Sequence, residues 1–406
     1  MSERTIPAEG KDLRLFVVAG EHSGDVLGGR LMAALNRRRR GRVRWLGVGG
    51  PDMAAEGLLS QFPMEEVAVM GPAAVLPRLP QLLQRIGQTA AAAVSARPDA
   101  VLIIDSPEFT HPIARRIRRR APGIPIIDYV SPSVWAWRPG RARRMRDYVD
   151  HVLALLPFEP EAHRRLKGPP CTYVGHPLVE RLPWIAALEP QKLAARLGLA
   201  GDVPLLVVLP GSRTSEVKRL MRPFGEAIAR LLQQGRRLQM VLPVVPSVRG
   251  LIEAALPAWP QQPHLVDSEE DKFSAFRLAR AALAASGTVS LELAAAGTPM
   301  VIAYKVDPLL AAPLRFLLTI DTAVLANLVL GERAFPELLQ GKCTPANLAA
   351  ALAPVLDDGP VRDRQLAALA RIPGKLKIDK GSPSEAAADI VLHYADNGRA
   401  WPHPQF

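Results

Sequence analysis

Short apolar runs alternate along the chain with segments whose apolar residues recur at helical spacing. Most runs end in small or polar residues, as in LRLFVVAG, AVLIIDSP and IPIIDYVSP in the first half and VPLLVVLPGS, AALAASGT and TPMVIAY in the second. Alternation of this kind predicts parallel sheets with helices on both faces. The pattern restarts near Val203, after the Pro-rich passage GHPLVERLPWIAALEP. We therefore predict an α/β chain with two doubly wound, Rossmann-like domains facing a central cleft, where ligands bind beyond the carboxyl ends of the strands.

The restart also sets the expected domain boundaries. We expect an N-terminal domain over residues 1–185, a C-terminal domain over 186–385, and a tail over 386–406 that packs back on the N-terminal domain. A chain of 406 residues is long enough for each domain to bury its own core.

Composition narrows the class of protein and its compartment. Hydrophobic residues make up 48% of the chain and charged residues 22%, which is typical of a globular protein. The two cysteines lie far apart in sequence, so a disulfide framework or a cysteine metal site is not expected, and a reducing compartment fits best. We see neither a secretory apolar region nor a run of about 18 apolar residues, and expect a cytoplasmic protein without a spanning helix.

Positive charge is concentrated in the first half of the sequence. Residues 1–200 hold 29 Lys and Arg against 19 Asp and Glu, and the whole chain has a formal charge of +12. Arginines cluster at residues 36–42, 114–120 and 138–146. These clusters are either solvated helix ends or a surface for an anionic partner, which could be nucleic acid or a phosphate-bearing membrane.

The stretch VVAGEHSGD runs from an apolar strand into a predicted helix. Gly20 and Gly24 in that turn would let the backbone approach a ligand, and the helix start offers free N–H groups that favour an anion. Three polar side chains in the turn, Glu21, Ser23 and Asp25, are candidate site residues. The alternative is an ordinary strand-to-helix turn with a capping Ser or Asp.

Two motifs of the second half repeat this strand, glycine and helix pattern. In LPGSRTSE, Arg213 follows Gly211 and Ser212 and can pair with a diphosphate through two N–H groups. In ASGTVSLELAAAG, a turn of Ser286, Gly287 and Thr288 precedes a helix that carries Glu292, whose carboxylate can accept two ribose hydroxyls. The alternative for Glu292 is an ordinary solvent-exposed helix residue.

Taken together, these motifs resemble those of known protein families. The second half resembles the nucleotide-binding domain of GT-B glycosyltransferases, and the whole set resembles the lipid-A-disaccharide synthase family. The matching stretches occur in family order as AGEHSGD, GVGGPDMAAEG, VAVMG, IDSPEF, YVSPSVWAWRPGRA, LPFE, YVGHPL, LPGSR and ASGT.

This resemblance implies a reaction and a set of partners. An inverting transfer would move 2,3-diacylglucosamine from its UDP derivative to the 6-hydroxyl of 2,3-diacylglucosamine 1-phosphate, known as lipid X. The products would be the β-1,6-linked lipid A disaccharide and UDP. The resemblance implies no metal and no cofactor, a place at the cytoplasmic face of the inner membrane, and contact with its anionic surface. It leaves a homodimer open, and nucleic acid is not an expected partner.

The resemblance also suggests roles for individual residues. Asp105, at the end of the run VLIID, is expected as general base, the alternative being a helix cap. Glu21, Ser23 and Asp25 would line the acceptor or anomeric side, and His22 is a weaker base candidate. We expect the donor to contact residues Gly211, Ser212, Arg213, Ser286, Gly287, Thr288, Glu292 and Asn327. Asn327 belongs to a loop, DTAVLANL, that departs from the family pattern, and Asp128 is assigned no role.

Membrane contact is expected from two stretches of the first half. Val69 and Met70 lie in the apolar segment 64–87, which Pro72, Pro77 and Pro80 interrupt. We therefore expect a short amphipathic or irregular surface element there, with internal packing as the alternative. Two tryptophans, Trp135 and Trp137, suit either an interface beside arginines or the core.

Two other functions fit parts of the sequence. A transferase of the same fold could use an unacylated UDP-sugar and a lipid-linked acceptor. A nucleic-acid-binding protein would explain the basic first half, although no zinc pattern, RNP sequence or helix-turn-helix supports it.

Overall fold

In the computed structural model of the chain, the structure describes residues 12–68, 72–306 and 320–399, with the side chains of residues 72–76 excepted. Two compact units divide between Pro177 and Leu178 and again between Lys377 and Ile378. The chain therefore leaves the first unit, builds the second, and returns to the first.

The first unit contains a parallel sheet with strand order β2-β1-β3-β4-β5-β6. Its strands are β1 Leu13–Ala19, β2 Val43–Val48, β3 Ala100–Ile104, β4 Ile126–Tyr129, β5 His151–Ala154 and β6 Cys171–Tyr173. Its helices are α1 His22–Arg38, α2 Pro51–Ala55, α3 Pro72–Ala96, α4 Pro107–Arg120, α5 Gly140–Met145, α6 Glu159–Arg165 and, after the return of the chain, α16 Pro383–Asn397. All five residues of β3 are buried, as expected of a central strand covered on both faces.

The second unit contains a parallel sheet with strand order β12-β11-β10-β7-β8-β9. Its strands are β7 Leu205–Leu209, β8 Gln239–Pro243, β9 His264–Val266, β10 Ala281–Ala285, β11 Met300–Tyr304 and β12 Glu337–Leu339. Its helices are α7 Leu178–Ala187, α8 Pro190–Leu197, α9 Thr214–Gln233, α10 Arg249–Ala255, α11 Glu269–Leu278, α12 Val289–Ala296, α13 Leu325–Leu330, α14 Pro345–Leu356 and α15 Pro360–Leu376. Short 3₁₀ turns occupy Met64–Glu66, Pro246–Val248, Leu256–Ala258 and Gln340–Lys342.

Both sheets have a topological switch point. The order in the first sheet reverses between β1 and β3, and in the second between β7 and β10. Loops that leave the carboxyl ends of two such strands diverge to opposite faces of the sheet and leave a crevice, where open α/β sheets bind their ligands. The predicted pair of doubly wound, Rossmann-like domains is confirmed.

Two details of the sequence interpretation are wrong. The expected domain boundaries at residues 185 and 385 fall inside α7 and α16, because both Pro-containing stretches continue as helices. The segment after residue 71 is the 25-residue helix α3, with Pro77 and Pro80 inside it. Residues 77–81 of this helix are exposed, whereas Ile86 and Ala90 are buried.

The returning helix α16 belongs to the first unit and packs against α1. Ion pairs join Arg38 to Asp389 and Arg39 to Asp396 along the contact. Tyr394 is buried beneath them, and its hydroxyl donates to the carbonyl of Asp150 at 3.3 Å. The returning helix is thus held by buried as well as surface contacts.

His151 connects this helix to the sheet as a neutral side chain. Its Nδ1 lies 3.2 Å from the hydroxyl of Tyr394, and its Nε2 lies 2.8 Å from that of Thr172. Because Tyr394 donates to Asp150, an imidazole that donates from Nδ1 and accepts at Nε2 satisfies the whole group. Burial, with a smaller effect from the charge of His393, lowers the pKa of His151 from 6.5 to about 3.

This depressed pKa predicts an acid-dependent loss of stability. The unfolded chain binds a proton at His151 below pH 6.5 while the folded chain does not, so the free energy of unfolding falls as the pH drops from 6.5 toward 3. The contribution is about 1.4 kcal/mol per pH unit within that window. Urea unfolding of the wild type and of His151→Gln measures it, because Gln keeps hydrogen bonding without titrating. Equal pH slopes in the two proteins would show that His151 contributes nothing.

Candidate active site

At the switch point of the first sheet, a serine and an aspartate from neighbouring strand ends meet. Ser23 follows β1 and its Oγ donates to Oδ2 of Asp105, which follows β3, at 2.9 Å. The backbone N–H of Ser106 donates to the other carboxylate oxygen at 2.8 Å. Two donors therefore fix the plane of the Asp105 carboxylate, and the group is only partly buried.

The backbone around this carboxylate is held in an unfavourable conformation. Asp105 and Ser106 have φ values of 52° and 45°, and Val130, after β4, has 89°. Left-handed conformations of non-glycine residues cost about 1–3 kcal/mol each and persist where surrounding contacts impose them. The contacts here include Asp105 N–H to the carbonyl of Tyr129 at 3.0 Å and Thr110 Oγ1 to the carbonyl of Asp105 at 2.8 Å. Such strain is concentrated at functional sites.

The glycines of AGEHSGD have a different role from the one expected. A Cβ on Gly20 would lie 3.0 Å from Cβ of Ser106, and one on Gly24 would lie 3.1 Å from the carbonyl oxygen of Ile104. The neighbour that approaches them closely is the turn from β3 to α4. These glycines allow α1 to pack beside Asp105.

Asp25 does not line an acceptor site, so that expectation is wrong. Its side chain is fully buried and accepts three backbone N–H groups at 2.8–3.1 Å, from Gly50, Asp52 and Met53. Asp25 thereby fixes the turn from β2 into α2. Its neighbours differ: Glu21 is half-buried, and His22 and Ser23 are exposed. Asp25 also forms, with His22 and Asp52, the one group of three potential metal ligands found in the described residues, but its N–H partners already occupy both oxygens.

At the switch point of the second sheet lies a cavity of about 570 Å³. Seven of the eight residues expected to contact the donor line it, namely Gly211, Ser212, Arg213, Ser286, Gly287, Thr288 and Glu292. Stretches distant in sequence complete the wall, including residues 243–245 after β8 and 266–269 after β9. The first of these stretches, Pro243, Val244 and Val245, is apolar, which suits a planar base.

Three helices begin at this cavity. Arg213, Ser268 and Thr288 line it and are the N-cap residues of α9, α11 and α12. The first N–H groups of a helix lack intrahelical partners and carry a partial positive charge, so the convergence of three helix starts favours a bound anion such as a diphosphate. At α11 the Ser268 hydroxyl already accepts one of these groups, the N–H of Asp271.

Four charged side chains that line the cavity form two ion pairs. Nη1 of Arg213 lies 3.1 Å from Oε1 of Glu216, and Nζ of Lys272 lies 2.7 Å from Oε2 of Glu292. Gly211 is required beside the first pair, because its φ is 107° and a Cβ there would lie 2.4 Å from Glu216. Sequence reasoning missed Glu216 and Lys272. Glu216 could have been found from its third position in α9, but no motif marks Lys272.

Asn327, expected to contact the donor, instead holds the chain behind the cavity. It is buried, and its amide donates to the carbonyl of Phe335 and accepts from the N–H of Phe335, both at 2.9 Å. The neighbouring Ala323 and Leu325 line the cavity in its place. Ser286 lines the cavity, but its hydroxyl already donates to Ala323 at 2.7 Å, which leaves its oxygen as an acceptor only.

The residues expected at a membrane give a mixed result. Trp135 is a core residue, and its Nε1 donates to buried Glu159 at 3.0 Å. Trp137 is half-buried, with the guanidinium of Arg138 4.2 Å from its ring centroid. Val69 and Met70 lie outside the described residues. Within the described ranges, no helix combines the length and the apolar character needed to cross a bilayer.

Comparison with solved structures agrees with the fold. A UDP-GlcNAc 2-epimerase from Neisseria meningitidis bound to UDP-GlcNAc superposes with a TM-score of 0.62 at 12% identity, over 95% of this chain and 99% of that chain. The S. aureus MnaA–UDP structure gives 0.64 at 12% identity, over 96% and 99%. At this identity the likeness shows the fold alone, which is of the GT-B kind.

Comparison of sequences gives the family. The family model for lipid-A-disaccharide synthetase matches residues 15–391. The lipid-A-disaccharide synthase of Rhodopseudomonas palustris is 54% identical over 379 residues, covering 93% of this chain and 95% of that protein. That of Rhodospirillum centenum is 45% identical over 383 residues, covering 94% and 95%. The chain therefore belongs to the lipid-A-disaccharide synthase family, and the glycosyltransferase function predicted from its motifs is confirmed.

Proposed function

We propose that this enzyme joins UDP-2,3-diacylglucosamine and lipid X with Asp105 as general base and the second-unit cavity as donor site. The observation that carries the choice of base is the Asp105 carboxylate, which is oriented by Ser23 and by its own turn at a switch point. Asp25 is excluded because its carboxylate is saturated with N–H donors. Glu21 and His22, at the same turn, are the next candidates for the general base.

The proposed step is a single displacement. The 6-hydroxyl oxygen of lipid X attacks the anomeric carbon of the donor, and the bond from that carbon to the UDP oxygen breaks. The hydroxyl proton passes to Asp105, and the anomeric configuration inverts to give the β-1,6 linkage. A fixed carboxylate of this kind contributes about 10²–10⁴-fold to a rate.

The departing diphosphate needs positive charge in the donor cavity. Arg213 can turn from Glu216 toward the phosphates, because its side chain is 57% exposed. The N-termini of α9 and α12 supply further N–H donors without any change in protonation. Glu292, oriented by Lys272, is proposed to accept the ribose hydroxyls.

Asp105→Asn tests the proposed base. We expect kcat to fall about 10²–10⁴-fold, because Asn accepts no proton, while the affinity for UDP stays unchanged. The assay mixes the acylated UDP-sugar with lipid X and detects the tetraacyl disaccharide by mass spectrometry. Unacylated UDP-N-acetylglucosamine serves as the comparison donor, and its efficient turnover would favour the rival transferase.

A carboxylate at the opposite end of the same strand provides the control. Asp99 precedes β3 and accepts the backbone N–H of Arg14 at 2.8 Å. Asp99→Asn should leave kcat within a few-fold of the wild type. Near-normal turnover by Asp105→Asn would assign the proton transfer to another residue.

Arg213→Ala and Glu292→Ala test the donor cavity. Each should weaken UDP binding by about 1.5–3 kcal/mol, the usual contribution of a hydrogen bond to a charged group. Calorimetric titration with UDP measures the loss. Arg222→Ala is the control, since Arg222 lies on the same helix and is paired at 2.7 Å with Glu226. If both test variants bind UDP like the control, the donor does not bind in this cavity.

Access to acylated substrates requires contact with a membrane, and α3 is the surface we propose for it. Leu79 and Leu83 lie one helical turn apart and are 39% and 49% exposed. Helices with an apolar face in a basic setting bind at anionic interfaces. We propose peripheral binding to the cytoplasmic face of the inner membrane, and the homodimer stays an untested prediction.

Leu79→Ser combined with Leu83→Ser tests this surface. We expect binding to anionic vesicles to fall several-fold in co-sedimentation, because apolar area is lost, and binding of the wild type to weaken with salt. Leu366→Ser is the control, since Leu366 is 39% exposed on α15 of the second unit. Unchanged binding of the folded double variant would exclude α3 as the contact.

A further inference from the structure

A cavity of about 490 Å³ lies against α4 and α5 of the first unit and contains none of the catalytic or donor residues proposed above. We call it the arginine pocket. Four guanidinium groups and one carboxylate line it, those of Arg115, Arg138, Arg141, Arg144 and Glu108. The excess positive charge points to an anionic ligand.

Within the described residues, one of the four arginines has a carboxylate partner. Arg141 pairs with Glu108. Although burial alone would raise the pKa of Glu108, its hydrogen bond to Arg141 and the charges of Arg141 and Arg138 lower it. In the part of the chain that the structure describes, Arg115, Arg138 and Arg144 have no carboxylate partner. Apart from the Nη2 group of Arg115, which donates to the hydroxyl of Tyr148, their guanidinium N–H groups can donate to a ligand.

Aromatic rings hold two of these arginines in place. The guanidinium of Arg115 lies 4.7 Å from the ring centroid of Tyr148, and that of Arg138 lies 4.2 Å from the centroid of Trp137. Arg138 also has a φ of 53°, a conformation that surrounding contacts must impose. A guanidinium stacked on a ring keeps its in-plane N–H groups free for an oxyanion, and positioned forks of this kind bind phosphate well.

A series of buried polar side chains lies behind the arginines. Nε2 of His111 lies 3.2 Å from the carboxylate of Asp128, and Nδ1 lies 2.9 Å from the hydroxyl of Tyr148. That hydroxyl accepts from Nη2 of Arg115 at 3.2 Å. Buried polar groups cost free energy that apolar packing would not. The last contact of this series, from Tyr148 to Arg115, fixes the position of Arg115 at the pocket wall.

The pocket begins next to the proposed base. Pro107, Glu108 and His111 line it from the first turns of α4, and Asp105 lies two residues before Pro107. Consecutive Cα atoms are about 3.8 Å apart, so the pocket edge is within about 8 Å of Asp105 along the chain. One sugar ring separates the 6-hydroxyl of lipid X from its 1-phosphate. An acceptor with its hydroxyl at Asp105 can therefore place its phosphate in the pocket.

We propose that the arginine pocket binds a phosphomonoester, namely the 1-phosphate of the acceptor. This inference rests on the function proposed above. A phosphate carries three oxygens that can be shared among Arg115, Arg138 and Arg144, whereas a single carboxylate can satisfy one fork. Arg115 and Arg144 thus select acceptors that carry the 1-phosphate and orient their 6-hydroxyl.

The test compares lipid X with its dephosphorylated form, 2,3-diacylglucosamine. Arg115→Gln combined with Arg144→Gln should raise the KM for lipid X about 10–100-fold, the loss expected for one or two hydrogen bonds to a charged group. The KM for the dephosphorylated acceptor and the affinity for UDP should change less than about threefold. The single variant Arg144→Gln, which removes no side-chain hydrogen bond or ion pair found in the described residues, should show the same selectivity at smaller size if the double variant is unstable.

Two arginines on the same helices provide a matched control. Arg119 and Arg143 are exposed, lie on α4 and α5, and do not line the pocket. Arg119→Gln combined with Arg143→Gln makes the same change in charge and should leave both KM values unchanged. An equal effect of control and test variants would reduce the pocket to a general contribution of surface charge and overturn the proposal.

Other outcomes distinguish a lipid headgroup from the acceptor as the source of the phosphate. They also distinguish failure of the pocket proposal from failure of the proposed function. If the test variant loses binding to phosphatidylglycerol vesicles but keeps its preference for lipid X, the pocket binds a lipid headgroup and the acceptor assignment is wrong. If the wild type forms disaccharide and the test variant keeps full preference, only the pocket proposal fails. If the wild type forms no disaccharide from lipid X, the proposed function fails as well.

Discussion

All strands of a parallel sheet bring their carboxyl ends to one edge, and the proposed base and the cavity of the second unit both depend on that constraint. Residues that follow β1 and β3 meet because those strands are neighbours, although Ser23 and Asp105 are far apart in sequence. The same geometry in the second sheet brings the turn after β7 to the turn after β10. Since sheet order reverses at each of these places, helices leave on opposite faces and the crevice between them stays open to ligand.

Residues of the family motifs divide into those that can face a ligand and those that hold the chain behind it. Asp25 and Asn327 are of the second kind, and each satisfies backbone groups of a loop that would otherwise lose its hydrogen bonds on burial. Ser23, Asp105 and Arg213 remain accessible. A motif thus contains both the residues that can face a ligand and the residues that hold the turn in place. A ligand-binding geometry persists only where other contacts fix it.

The arginines of the first unit also divide into two groups, those that stabilise the fold and those that can face a ligand. Arg38 and Arg39 pair with carboxylates of the returning helix, and Arg118 pairs with Asp150, so these side chains contribute to the fold. In the arginine pocket, three of the four guanidiniums have no such partner among the described residues. Net charge alone could not distinguish these uses, since a cluster in sequence contains residues of both kinds.

The sequence by itself determined the fold class, the restart of the pattern between the units, the family, and seven of the residues that line the cavity of the second unit. These features depend on short-range periodicity and on glycine-containing turns, which a linear pattern records. Only the tertiary structure decided that Asp25 is buried, that α3 continues through two prolines, that α16 returns to the first unit, and that Lys272 faces Glu292. Burial and hydrogen-bond partners depend on neighbours that are distant along the chain, so no local pattern could reveal them.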